Sequence, residues 1–103
     1  MFEKEFEGKV VLVTGGSTGI GYATVKSFLA SGAKVYFLGK PGEDLTKQTE
    51  ELKSINPDYD FASNTIDLCD YKAAQALYAE IEEKWGRLDV LVNNAGVDSS
   101  LPI

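Results

Sequence analysis

The chain predicts an α/β fold in which one parallel sheet carries helices on both faces, and three observations predict it. Lys9 to Thr14 and Leu88 to Asn93 are nearly continuous, β-branched apolar runs, the pattern of parallel strands buried on both sides. Segments with apolar residues at helical spacing separate these from two further strand-like runs, so strands and helices alternate. A glycine-rich stretch, TGGSTGIG (Thr14 to Gly21), stands where the first strand gives way to the first helix.

The elements follow in order. Tyr22, Val25, Phe28 and Leu29 repeat at helical spacing until Ser31 and Gly32 end the pattern. KVYFLG (Lys34 to Gly39) reads as the second strand. Pro41-Gly42 then opens a polar segment in which Leu45, Thr49, Leu52 and Ile55 share one helical face, stopping at Asn56-Pro57. Asp60 to Ile66 is a weaker strand signal, diluted by Ala62, Ser63 and Asn64, and is carried by its place in the alternation. Asp70 suits the N-cap of a third helix whose stripe is Ala74, Leu77, Tyr78, Ile81 and Trp85, ending at Gly86, with Lys72, Glu80, Glu83 and Lys84 facing solvent. Right-handed crossovers between four such strands and three helices give a doubly wound sheet of order 3-2-1-4. Its ligand crevice lies beyond the C-terminal ends of the first and fourth strands, where TGGSTGIG and NNAG stand.

The glycine loop carries the chemistry. Gly15 permits a sharp turn out of the strand, Gly19 removes a Cβ where phosphate oxygens approach the backbone, and Gly21 lets the helix pack closely. The unpaired N–H groups and positive dipole end of the following helix then hold an anion without a basic side chain. A P-loop needs Lys and Ser or Thr after its last glycine, whereas Tyr22 and Ala23 follow Gly21 here.

Composition bounds the rest. With 103 residues the chain is one domain at most, and 10 basic against 16 acidic residues (net charge -6) offer no field for nucleic acid or an anionic membrane. No apolar run reaches a membrane span and the N-terminus lacks a signal-peptide core, which makes the cytoplasm the expected location. Cys69 is the only cysteine, expected to be buried or half-buried, and there is no histidine; a disulfide, a CxxC site and a His-based triad or metal site within this chain are excluded.

TGGSTGIG after the first strand, Asp67 just after the third and NNAG after the fourth together resemble the short-chain dehydrogenase/reductase family over nearly the whole chain. The resemblance implies a partial, Rossmann-like fold whose loop residues Gly15, Gly19, Ile20 and Gly21 hold a pyrophosphate. It implies that Asp67, with Leu68 beside it, contacts the adenine, and that Asn94, Ala95 and Gly96 close over the cofactor. It further implies a hydride transfer between a nicotinamide cofactor and a small carbonyl/alcohol substrate, and a homo-oligomer for a longer parent chain. The family's catalytic Ser and its Tyr and Lys lie beyond NNAG, and Ser99 and Ser100 come too early to replace that Ser. The chain is therefore expected to be the N-terminal, cofactor-binding part of such an enzyme and inactive alone; a non-catalytic nucleotide-binding or interaction module is the alternative. Tyr22 with Lys26 and Tyr36 with Lys40 match the YxxxK spacing, but on the first helix and second strand, and are expected to be structural.

Where an NAD site places an acid at the end of the second strand this chain has Gly39, followed by Lys40. Lys40, with a hydroxyl from Ser17 or Thr18, suits a 2′-phosphate, which favours NADP over NAD. Glu43 and Asp44 are expected to be charges at the start of the second helix.

Overall fold

The computed structural model describes residues 5–94. The elements are β1 (Val10–Thr14), α1 (Gly19–Ala30), β2 (Lys34–Leu38), α2 (Thr46–Ile55), β3 (Phe61–Asn64), α3 (Tyr71–Trp85) and β4 (Val90–Asn93). The four strands form one parallel sheet of order β3-β2-β1-β4, the order expected, with Val11 opposite both Val35 and Val90.

Alternation along the central strands divides the core into two layers. Val11 and Val13 of β1 and Val35 and Phe37 of β2 pack with Val25, Phe28 and Leu29 of α1 and Leu52 of α2. Val10, Leu12, Tyr36 and Leu38 point the other way, onto Leu77 and Ile81 of α3. All five residues of β1 are buried, which is why its sequence shows no polar face.

The ends of the elements follow local hydrogen bonding. Asp70 caps α3, its Oδ1 accepting from the N–H groups of Lys72 (3.1 Å) and Ala73 (3.2 Å), and Gly86 closes the helix at φ 75°. β3 is shorter than its sequence run, and just past its end Asn64 Oδ1 accepts the N–H of Thr65 at 2.8 Å. At the start of β4, Asp89 accepts from Val10 N–H at 2.9 Å, and its own N–H returns to Val10 O at 2.9 Å. The Arg87 guanidinium grips the same carboxylate at 2.7 Å and, with the Val10 bond, holds its pKa below the usual carboxylate range.

Three side chains depart from their sequence assignments. Ile55 and Tyr78 are 53% and 42% exposed, so the stripes of α2 and α3 are narrower than their periodicity implies. Cys69 is exposed in the turn before α3 rather than buried. Glu80 is exposed, as expected of a solvent-facing charge, and it also accepts the Tyr36 hydroxyl at 2.9 Å.

Among the described residues β4 has a neighbour on one side only, and Leu91 is 52% exposed there. An open parallel edge with an apolar side chain templates association. Sedimentation at rising concentration is expected to show self-association that Leu91→Lys reduces; a compact monomer at every concentration would refute this. A second expectation concerns Tyr36, whose burial and bond to Glu80 push its pKa up to about 12. The folded state therefore keeps a proton that the unfolded chain loses near pH ~10, and stability falls as pH rises between those values. Chemical unfolding across that window should give a shallower alkaline decline for Tyr36→Phe, and an unchanged slope would contradict it.

Candidate functional site

The glycine loop is tied to both strands it adjoins. Thr14, 2% exposed at the end of β1, donates its hydroxyl toward Asn93 Oδ1 (3.1 Å) and accepts the N–H of Asn94 at 2.9 Å. Asn94 Nδ2 donates to the carbonyl of Gly15 at 3.2 Å. A Cβ on Gly21 would fall 1.9 Å from that carbonyl oxygen and 2.8 Å from Asn94 Nδ2. The sequence reading gave Gly21 to close packing of helix on sheet; the contact that demands glycine is with the loop backbone and the Asn94 amide.

Gly15 and Gly19 both lie in the left-handed region, at φ 63° and 57°, and space is open on the side where a Gly19 Cβ would project. Gly16 was missed. A Cβ there would fall 2.8 Å from Phe37 Cβ, and its N–H donates to Leu38 O at 2.8 Å, so this glycine lays the loop against β2. The Gly15-Gly16 doublet was the available signal.

α1 begins at Gly19 with no acid in its first turn, and Thr18, extended at φ -145°, makes no side-chain cap. Thr18, Gly19 and Ile20 are exposed, Ile20 at 78%. First-turn N–H donors without a side-chain acceptor, next to open space at Gly19, fit the pyrophosphate of a dinucleotide. Asp67 is exposed in the β3–α3 turn at the same end of the sheet, where its Oδ1 accepts Cys69 N–H at 2.9 Å. Leu68 packs half-buried on the layer formed by Tyr36 and Leu38. Ala95 and Gly96 lie outside the described residues.

Ser17 is only 6% exposed and is held from two sides: its hydroxyl donates to Glu43 Oε1 at 2.9 Å, and its carbonyl accepts Gln48 Nε2 at 2.8 Å. Glu43 also accepts the backbone N–H of Lys40 at 2.9 Å, while the Lys40 side chain is exposed. Glu43 is therefore not a helix charge. α2 starts at Thr46, and the Glu43 carboxylate folds back on the end of β2, in space left by the missing Cβ of Gly39.

Neither YxxxK pair forms an acid/base site. Tyr22 donates its hydroxyl to Glu51, and burial with that bond raises its pKa, whereas a general acid/base needs it lowered. Lys26 lies 4.8 Å from the Tyr22 ring centroid and 4.0 Å from Glu51. Tyr36 is buried against Glu80, with Lys40 at the far end of β2. Among the described residues no helix is long and apolar enough to cross a membrane, and no group of acidic or cysteine side chains is placed to hold a metal ion.

The family model for the short chain dehydrogenase matches residues 9–103. A 3alpha-hydroxysteroid dehydrogenase of Mediterraneibacter gnavus is 38% identical over 94 residues, which are 91% of this chain and 38% of that protein. The meso-2,3-butanediol dehydrogenase of Serratia marcescens is 38% identical over 92 residues, 89% of this chain and 35% of that protein. Among solved structures, a short chain dehydrogenase from Mycobacterium smegmatis superposes with a TM-score of 0.74 at 38% identity, over 89% of this chain and 38% of that one. L-sorbose reductase from Gluconobacter frateurii, complexed with NADPH and L-sorbose, gives 0.81 at 28% identity, over 95% and 37%. The chain spans little more than a third of the length of these relatives. On these matches and this geometry, the chain belongs to the short chain dehydrogenase family.

Proposed function

We propose that this chain is the dinucleotide-binding portion of an oxidoreductase that acts on a carbonyl/alcohol pair, with NADP favoured over NAD. The observation that carries the reading is the knot of Thr14, Gly15, Gly21 and Asn94, beside which the first turn of α1 stands uncapped by any side chain. Gly15, Gly19, Ile20 and Gly21 would border the pyrophosphate, and Thr18 is exposed next to it. Asp67 and Leu68 would receive the adenine end, and Asn94, with Ala95 and Gly96, the side toward β4. When bound, the nicotinamide supplies or accepts the hydride. This chain's part is to bind and orient: the donors of α1 fix the diphosphate, and the Asn94 amide keeps the Gly15 carbonyl turned away from it.

Support for NADP comes from Lys40, exposed just past β2; position 39 itself carries no acid, although the Glu43 carboxylate folds into the space beside it. The NADPH complex of L-sorbose reductase points the same way. No proton donor for a carbonyl is assigned, because burial and carboxylate partners raise the pKa of Tyr22 and Tyr36 and both hydroxyl protons are already donated to Glu51 and Glu80.

Calorimetry on this chain should detect NADPH binding. Gly21→Ala, which sets a methyl against the Gly15 carbonyl, should weaken it at least ~10-fold, with Gly86→Ala, a left-handed glycine at the C-terminal end of α3, as the control. Wild-type affinity in Gly21→Ala would refute the site. Lys40→Glu should lower the ratio of NADPH to NADH affinity by roughly 10- to 100-fold, the worth of a charge-assisted contact; equal binding of both cofactors by the unmodified chain would remove the NADP part. Gly39→Asp is a poorer probe, because its Cβ would fall 2.6 Å from Glu43 Oε1. With NADPH and a panel of ketones and aldehydes, nicotinamide absorbance should show no turnover, since losing a general acid and substrate positioning removes roughly 10²- to 10⁴-fold or more in rate. Turnover abolished by Tyr22→Phe would overturn that expectation.

A further inference from the structure

The segment between β2 and α2 holds a carboxylate of its own against the glycine loop. Glu43 Oε1 accepts from two donors on different elements, the Ser17 hydroxyl and the Lys40 backbone N–H, each at 2.9 Å. It does so beside Gly39, at the end of β2, where a dinucleotide of this kind carries the 2′ substituent of its adenosine ribose. An anion of the chain therefore sits on the donors that a 2′-phosphate would use.

The two ribose substituents meet this carboxylate differently. A phosphate monoester brings about -1.5 to -2 charges and only acceptor oxygens near neutral pH, so it competes with Glu43 for the same hydrogens and is repelled by it. A 2′-hydroxyl has a proton to donate and can bond to the carboxylate where it stands. On its other side the Ser17 joint is not fully satisfied: Gln48 of α2, whose amide nitrogen holds the Ser17 carbonyl, has a buried Oε1 with no hydrogen-bond partner among the described residues.

We propose that Glu43 sets the discrimination between phosphorylated and unphosphorylated dinucleotide: it is an intramolecular stand-in for the 2′-phosphate on Ser17 and Lys40, and it must leave before that phosphate is seated. The proposal rests on reading the glycine loop as a dinucleotide site. Lys40 attracts the phosphate and Glu43 opposes it, so the chain's preference for NADP is smaller than the exposed lysine alone would give. Glu43→Gln keeps an acceptor oxygen for Ser17 and Lys40 and removes only the charge.

The test is calorimetry on the chain with adenosine 2′,5′-bisphosphate and with adenosine 5′-monophosphate, on wild type, Glu43→Gln and Glu43→Gln/Ser17→Ala, with circular dichroism to confirm that each folds. Glu43→Gln is expected to tighten the bisphosphate about tenfold, leave the monophosphate within about twofold, and lose most of the gain when Ser17 is also replaced. An unchanged ratio of the two affinities, or an equal gain for both, would overturn the proposal while leaving the dinucleotide site intact. Binding of neither nucleotide by folded wild type would overturn the site itself. Should the variants fail to fold, nuclear magnetic resonance on wild type decides: the bisphosphate, not the monophosphate, should shift the Glu43 side-chain carboxyl and Lys40 amide signals, and identical shifts from both would refute displacement.

Discussion

The approach of α1 to the end of β1 is the constraint on which the rest of the structure depends. Gly21 lies so close to the Gly15 carbonyl that no side chain fits between them, and the Asn94 amide closes the same contact from β4. Helix and loop thus meet at backbone distance, with the side chain that follows β4 on the same contact, which fixes where the helix begins and where its first N–H groups point. A larger residue at position 21 would push α1 outward and move the donors with it. Because Val25, Phe28 and Leu29 on the same helix fill one core layer, the geometry of the anion site and the packing of the core are one problem.

Much of this was legible in the sequence. The two-sided strands, the helical stripes and the end of α3 at Gly86 follow from periodicity and from the backbone freedom of glycine, which are local properties. The strand order followed from the handedness of crossovers. What escaped depends on side chains that cross between elements. Glu43 falls where a helix N-terminal charge belongs, and only the fold shows that its carboxylate reaches Ser17, twenty-six residues away. Beyond the doublet with Gly15, nothing local marks Gly16, because what it meets is Phe37 on another strand. Tyr78 and Ile55 fit their helical stripes by spacing, but each helix here rests on the sheet along a line too narrow to cover them.

Ser17 is where these two levels meet. Its place in a glycine loop suggests a hydroxyl offered to a ligand, whereas burial and two partners make it part of the joint between the loop and α2. A group in such a joint has its hydrogen bond already made, so any ligand that uses it exchanges one bond for another and gains only the difference. The first turn of α1 differs in that its donors have no side-chain competitor, so an anion there displaces only water.

The composition of β1 has a consequence for how the sheet aligns. Val10, Val11, Leu12 and Val13 are all buried, and the residues facing one layer differ little in shape or polarity from those facing the other. A strand that alternates apolar with polar residues reports a slip of one position by exposing its core face; this one would report almost nothing. Its register is pinned by polar clasps at the two ends, Val10 with Asp89 and Thr14 with Asn93 and Asn94. The residues that border the proposed ligand crevice are thereby alignment markers for the central strand, and damage at Thr14 would surface as a misthreaded sheet.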